Sequence, residues 1–534
     1  MNDEGEGLGS EAVGGFTRRR FIEGLSRVGG MGLVMAGMDA FGVGIASAQA
    51  TPPALTGSGS GRKVLILGAG LAGMTAAYEL QKAGYQVQVL EARDFAGGRC
   101  QTARAGFSLT ELGGARQDCR YDKGQYFNHG PWRIPHHHHS VLHYTKLFGV
   151  PLEVFVNDNE AAYVYAETGK GPLAGKRIRR AEIAADIRGY ASEMLAKVVN
   201  QGALDAEFTK EDRDAFITYL RGEGYLSASD LRYVGTSDRG YMVPPGAGSE
   251  SGKVSPPFAF KDVLHSKMWR SLSSVATYSH QGTMFQAVGG MDQIAKGFER
   301  QVGRYVRYGA VVDKIAQNET GVEVFYTDAA GKKASARADY CLCTIPLSVL
   351  RTIDLAVSPR FKQAMTGVAY MPVGKVGLQM KNRFWETNHS IYGGIVETDI
   401  PDLGSIAVPS TGYQSAKGVL LGYYQFNASA AKISAKTPAE RAAFAVEMGS
   451  RVFPEYRDAF ESAFSVAWHR VKYNLGGWAA WSADGRKNDY PVLCEPDGRI
   501  YLAGEHLSYL GAWQAGAIES AWQQIGKIHS RAQA

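Results

Sequence analysis

Three glycines carry the first chemistry of this chain. Gly68, Gly70 and Gly73 stand in GAGLAG, directly after the short apolar run KVLIL and before a stretch with helical spacing. In that setting the spacing describes a dinucleotide cradle. Gly68 and Ala69 make the tight turn, Gly70 lets backbone N–H groups reach a pyrophosphate, and Gly73 packs helix against strand. Glu91, followed by Ala92 at the end of the next strand, can accept hydrogen bonds from a ribose. The plain alternative, a glycine turn with no ligand, does not call for that acid. A second cluster lies in NHGPWRIPHHHHS. Four consecutive histidines invite a metal reading, but adjacent residues on a helix or strand point in different directions, so His136 to His139 cannot all ligate one ion. They read as the polar start of the helix SVLHYTKLFGV, with one member reaching a pocket. Arg133, between Trp132 and Ile134, is poorly solvated and permanently charged, so it wants an anionic partner, in a ligand or in a structural salt bridge.

The elements that must position these groups are legible around them. KVLIL is a buried strand, Leu71, Thr75 and Tyr78 mark one helix face, Gly84 suits its C-terminus, and YQVQVLEAR is a second strand. Residues 180–235 are helical, with Thr209 to Asp212 resembling a capping box in which Asp replaces Glu. Residues 235–257 are rich in Gly, Ser and Pro and read as a long loop. Strands follow, including ADYCLCTIP, GKVGLQM and GVLLGYYQF, and a last helix begins near Trp513. The 534 residues exceed one core and imply several structural units, with 45% hydrophobic and 21% charged residues as in a globular protein. A net charge of +6 with no basic stripe argues against a nucleic-acid partner. Five cysteines form no CxxC pair, and Cys341 and Cys343 share one strand face as small core residues.

The N-terminus carries its own signal. TRRRFIEGL places paired arginines before a mildly apolar, Gly-rich stretch, and ASA and AQA near residue 50 suit a cleavage site. Residues 1–50 therefore read as a twin-arginine export signal, with a periplasmic or extracellular destination, and 51–61, TPPALTGSGSG, as a flexible linker. The alternative is a disordered basic tail. Asp39 and the glycines interrupt the apolar stretch, so no stable membrane span is expected.

Two further stretches fix which dinucleotide. ARDFAGGRC follows Glu91, and DGRIYLAGEHLSYLGAWQAGAIESA stands near the C-terminus, so both chain ends build one site. Together with AVGGMDQIAKGFE, they resemble the FAD-containing amine oxidase family from about Arg62 to the C-terminus, and YFNHGPWRIP resembles the segment found in bacterial L-amino-acid oxidases. The resemblance implies noncovalent FAD, since no cysteine stands near Trp478, and the lack of a second strand-linked G-x-G-x-x-G argues against an NADPH site. It places Arg93, Gly98 and Arg99 by the nucleotide, Val312 at adenine through its backbone, and Gly504 and Glu505 beside the ribityl and pyrophosphate. Gly130, Pro131 and Trp132 border the cofactor. The resemblance further implies that Arg133 binds the substrate α-carboxylate, a role the planar guanidinium suits. Lys375 would hold a water by the flavin, and Trp478, Ala512 and Trp513 would wall the substrate. One departure stands out: the tyrosine usual in the carboxylate clamp is replaced by Val408 in SIAVPSTGY, with Tyr413 as a fallback.

The expected architecture is α/β (α+β overall). A doubly wound FAD-binding domain uses residues 62–103, 284–350 and 486–534, a mixed-sheet substrate domain uses 104–170 and 351–485, and a helical insertion fills 171–283. The expected activity is oxidative deamination of an L-amino acid by molecular oxygen, giving the 2-oxo acid, ammonia and hydrogen peroxide. The rivals are an amine oxidase or amino-acid monooxygenase acting on another primary amine, and a non-catalytic FAD-binding partner protein. The family resemblance implies a homodimer, and nothing in the chain names the amino acid.

Overall fold

KVLIL folds as the strand Lys63–Leu67, with four of its five residues buried, as an apolar run covered on both faces requires. It is the middle strand of a parallel sheet in the computed structural model, which describes residues 50–201, 208–274 and 277–534. The strand order is Val306–Arg307, Gln86–Leu90, Lys63–Leu67, Tyr340–Cys343 and Ile500–Leu502. All neighbours pair in parallel, so three distant stretches of chain meet in one sheet.

Side-chain alternation sorts the two faces of that sheet. Val64 and Ile66 pack against the helices Leu71–Lys82, Asp292–Val302 and Gln514–Gln533. Leu65 and Leu67 point the other way with Cys341 and Cys343, both fully buried, and burial pushes the Cys343 thiol up to about 12. The sequence reading of a doubly wound sheet expects helices on both faces. The second face carries short helices together with a four-stranded sheet in the order Lys333–Ala338, Val322–Thr327, Val311–Gln317, Asp354–Leu355. The whole is a mixed α/β fold with several sheets.

A seven-stranded mixed sheet lies beyond. Its order is Phe460–Ala467, Val373–Met380, Gly418–Phe426, Ser405–Val408, Gly394–Thr398, Tyr163–Tyr165 and Arg177–Arg179. The helices Arg180–Asn200 and Lys210–Gly224 form where expected. The Thr209 hydroxyl accepts from the Asp212 N–H and the Asp212 carboxylate accepts from the Thr209 N–H, so Asp does serve in place of Glu. Among the described residues no helix is long and apolar enough to cross a membrane. The paired arginines of the expected export signal lie outside the described residues.

Two local readings are corrected. Residues 51–61 are not a free linker: the Gly59 N–H donates to the Ala83 carbonyl, Gln533 donates to the Ser58 carbonyl, and His529 bonds the Thr56 carbonyl. The stretch 235–257 is not uniformly loop, since Tyr241–Val243 pairs with Lys253–Val254 as a small antiparallel hairpin.

Candidate active site

One elongated cavity of about 410 Å³ runs from the glycine turn to Arg133 and Lys375. Every residue given a cofactor-binding, substrate-binding or catalytic role in the sequence borders it except Ala69 and Gly73, which act behind its wall. The Ala69 N–H donates to the Glu91 carboxylate at 2.7 Å, and a Cβ on Gly73 would meet the Gly68 carbonyl at 2.0 Å. Gly68 takes φ +99°, which glycine adopts without steric cost.

The nucleotide end fits a bound dinucleotide on its own geometry. A Cβ built on Gly70 meets nothing within 4 Å, because it enters the cavity, so the backbone there is free to approach a phosphate. Two helices, Leu71–Lys82 and Gln514–Gln533, begin at the cavity with no acidic residue in their first turns. Their partial positive ends favour a diphosphate. The sequence reading gave Glu91 only to a ribose, yet its buried carboxylate also accepts the Ala69 and Arg93 N–H groups and so locks the turn. Arg93 donates to the Lys472 carbonyl and to Asn474, a tie that no motif announces. Val312 lies in the wall beside a bulge of its strand.

The two chain ends are joined across the cavity by one ion pair. Arg99 donates to Glu505 at 2.9 Å and to the Gly477 carbonyl at 2.6 Å. The buried Glu505 carboxylate also accepts from the Ala479 and Ala512 N–H groups. It therefore holds the backbone beside both Trp478 and Trp513. Ala512 takes φ +67°, a strained conformation for a residue with a Cβ, and this aims the following Trp513. Trp478 is buried, its indole N–H has no hydrogen-bond partner among the described residues, and its ring meets Phe426 at 5.5 Å.

Arg133 and Lys375 face the same space. Arg133 is buried, stacks over Trp132 at 5.0 Å and donates to the Asn157 side-chain oxygen. Among the described residues no carboxylate lies within salt-bridge distance of it, which removes the structural salt bridge. Burial lowers it to about 10, while Tyr424 and Glu397 favour its charge from farther off. Glu397 is itself bonded by Ser405 and pushed upward by burial, so it is a weak counter-ion. Lys375 is on a strand paired on both sides, opposite Tyr424 and Val466. Its ammonium donates to the Gly130 carbonyl at 2.6 Å and sits 4.3 Å over the Tyr424 ring. Burial, then the Arg133 charge, lowers it to about 7.

The histidine run is less polar than its sequence suggests. The helix is His139–Leu147, His138 precedes it without capping, and both His137 and His138 are buried. His138 meets the Trp513 ring edge-on at 4.9 Å, with His280 at 5.6 Å, so one member of the run does brace the cavity wall. Among the described residues no three His, Cys, Asp or Glu side chains group as a metal site. Val408 turns into an apolar cluster with Val376 and Leu378, away from the cavity, and Tyr413 is exposed against Tyr392, so neither completes a carboxylate clamp. Sequence reasoning missed Tyr424 and Trp468 in the lining, because each stands in a run with no motif, and passed over His506 although it follows Glu505 in the C-terminal stretch.

Comparison with known proteins agrees with this geometry. The family model described as flavin containing amine oxidoreductase matches residues 71–524. YobN of Bacillus subtilis (strain 168) is 28% identical over 476 residues, covering 87% of this chain and 94% of that protein. An L-amino-acid oxidase of Gloydius blomhoffii is 28% identical over 480 residues, covering 86% and 87%. Among solved structures, cyclohexylamine oxidase from Brevibacterium oxydans superposes with a TM-score of 0.59 at 18% identity, covering 89% of this chain and 100% of that one, a likeness of fold.

Proposed function

The chain belongs to the flavin containing amine oxidoreductase family and is an FAD-dependent oxidase of an amine or amino-acid substrate; from that premise we propose that its substrate is an L-α-amino acid. The observation that carries this reading is Arg133, a buried guanidinium with no carboxylate partner among the described residues, facing the cavity. An uncompensated buried charge is costly, and a substrate carboxylate supplies the missing half of a bidentate pair. The L-amino-acid oxidase of Gloydius blomhoffii supports the same reading. Cyclohexylamine oxidase supports the rival, a substrate with no carboxylate.

We assign the five-stranded sheet and its flanking layers, built from three segments, as the FAD-binding unit, the seven-stranded sheet as the substrate unit and residues 171–283 as a helical insertion. Gly70, Glu91, Arg99 and Glu505 would hold FAD noncovalently. When bound, FAD supplies acceptance of the two electrons of the α-C–H bond and their delivery to oxygen. The protein's share is positioning. Arg133 grips the carboxylate, and Trp478 and Trp513 exclude water and orient the α-carbon. Lys375 holds a proton at Nζ, next to the Gly130 carbonyl. Overall, amino acid, water and oxygen give 2-oxo acid, ammonia and hydrogen peroxide. We further propose export by the twin-arginine route, on the strength of the N-terminal sequence alone.

The test is Arg133→Ala, assayed on an L-amino acid and on its decarboxylated amine. Loss of a buried charge-assisted contact costs about 2 to 5 kcal/mol, roughly 30- to several-thousand-fold in kcat/KM. That loss should fall on the acid and spare the amine. Equal losses on both would make Arg133 structural and return the rival to first place.

A further inference from the structure

The carboxylate subsite is incomplete if Arg133 acts alone. A carboxylate gripped by a guanidinium fork keeps lone pairs that still need donors in a dry site. Asn157 offers its oxygen to Arg133, and although its buried amide nitrogen has no partner among the described residues, Asn157 does not border the cavity, so its part is to hold the guanidinium rather than to bind an anion. Val408 faces an apolar cluster and Tyr413 faces solvent. One hydroxyl remains. Tyr424 lines the cavity, half-buried, on Gly418–Phe426, the strand next to Lys375. Its ring is fixed on three sides: Lys375 lies 4.3 Å above it, Phe426 lies 4.5 Å away, and Trp132 meets it edge-on at 6.1 Å. Trp132 in turn carries the Arg133 guanidinium at 5.0 Å. Its hydroxyl makes no hydrogen bond to another described residue, although Tyr hydroxyls in buried settings usually find a partner.

From this arrangement we propose that Tyr424 donates the second hydrogen bond to the substrate carboxylate, beside Arg133, from a strand other than the one holding Val408. Two further observations agree with this placement. Arg133 is the charged group that acts on the Tyr424 phenol, and burial keeps that phenol protonated and therefore a donor. The ring also cannot swing away without losing its contact with Lys375. The proposal rests on the amino-acid reading and narrows it: the enzyme would recognise the carboxylate through one guanidinium and one phenol, leaving the substrate side chain to the tryptophan walls.

Tyr424→Phe removes the hydroxyl alone and keeps the ring under Lys375. The experiment measures steady-state kinetics of the FAD-loaded variant on an L-amino acid and on the matching amine, and titrates benzoate against the flavin spectrum. One hydrogen bond to a charged group predicts a rise of about 10- to 100-fold in KM for the amino acid and in Kd for benzoate. The amine KM should stay within about twofold, because nothing in the amine needs this donor. Any other pattern overturns the proposal, whether no change or equal changes on both substrates. Arg133→Ala run in parallel separates the two claims. If it shrinks the acid preference while Tyr424→Phe does not, the clamp lacks Tyr424 but the amino-acid reading stands. If neither does, that reading falls as well.

Discussion

Lys375 shows how a single residue is set by its surroundings. Its sequence context allows a surface lysine at a strand edge, but its strand is paired on both sides and its ammonium is buried over an aromatic ring. Burial and Arg133 lower it from 10.5 to about 7, so it is charged below that pH and neutral above it. A positive charge at this point would favour oxygen taking up electrons. Reoxidation of the reduced enzyme by oxygen should therefore slow as pH rises through about 7. In Lys375→Met it should be slower by about 100-fold and lose that pH dependence. Rapid mixing of reduced protein with oxygenated buffer checks both, and an unchanged pH profile in the variant would refute the assignment. The histidines behave in the opposite way from their appearance. Their run is conspicuous in the sequence, yet two members are packed inside and one braces Trp513.

At the scale of elements, the glycine turn and the strap between chain ends were legible to different degrees. Strand, turn and helix follow from KVLIL and the glycines, since apolar run, turn residues and helical spacing change in order. The ion pair of Arg99 with Glu505 was not legible, because it joins residues separated by most of the chain and local patterning carries no such information. Tyr424 stayed hidden for a related reason. Almost all of its strand is buried, so no polar alternation marks which side chains face a cavity. The second layer over the parallel sheet was not legible, because strands and helices can cover an apolar face equally well. Gly70→Val should fold normally yet lose FAD, because its side chain enters the space where a phosphate approaches; a variant as yellow as the parent would contradict this. Glu505→Gln should lower both FAD occupancy and Tm, since it leaves Arg99 without its charge partner. The ratio of flavin to protein absorbance and a thermal melt measure the two effects.

At the scale of the whole molecule, buried neutral histidines make acid the weak side of stability. Burial lowers His129 to about 3, His506 to about 4 and His138 well below 6.5. Between pH 6.5 and those values the unfolded chain takes up protons that the folded chain refuses. Stability is therefore lost as pH falls below 6.5, by up to about 2 kcal/mol per such histidine at pH 5. Tm should drop steeply between pH 6.5 and 5, and a flat profile there would mean the imidazoles are solvated. Function at this scale comes down to which substrate delivers electrons to the flavin. The most direct measurement is anaerobic mixing of the purified yellow protein with an L-amino acid or with its decarboxylated amine, following loss of the flavin colour. The carboxylate clamp predicts bleaching by the amino acid at least about 30-fold faster than by the amine. Bleaching by the amine as fast or faster would contradict it and make the enzyme an oxidase of simple amines.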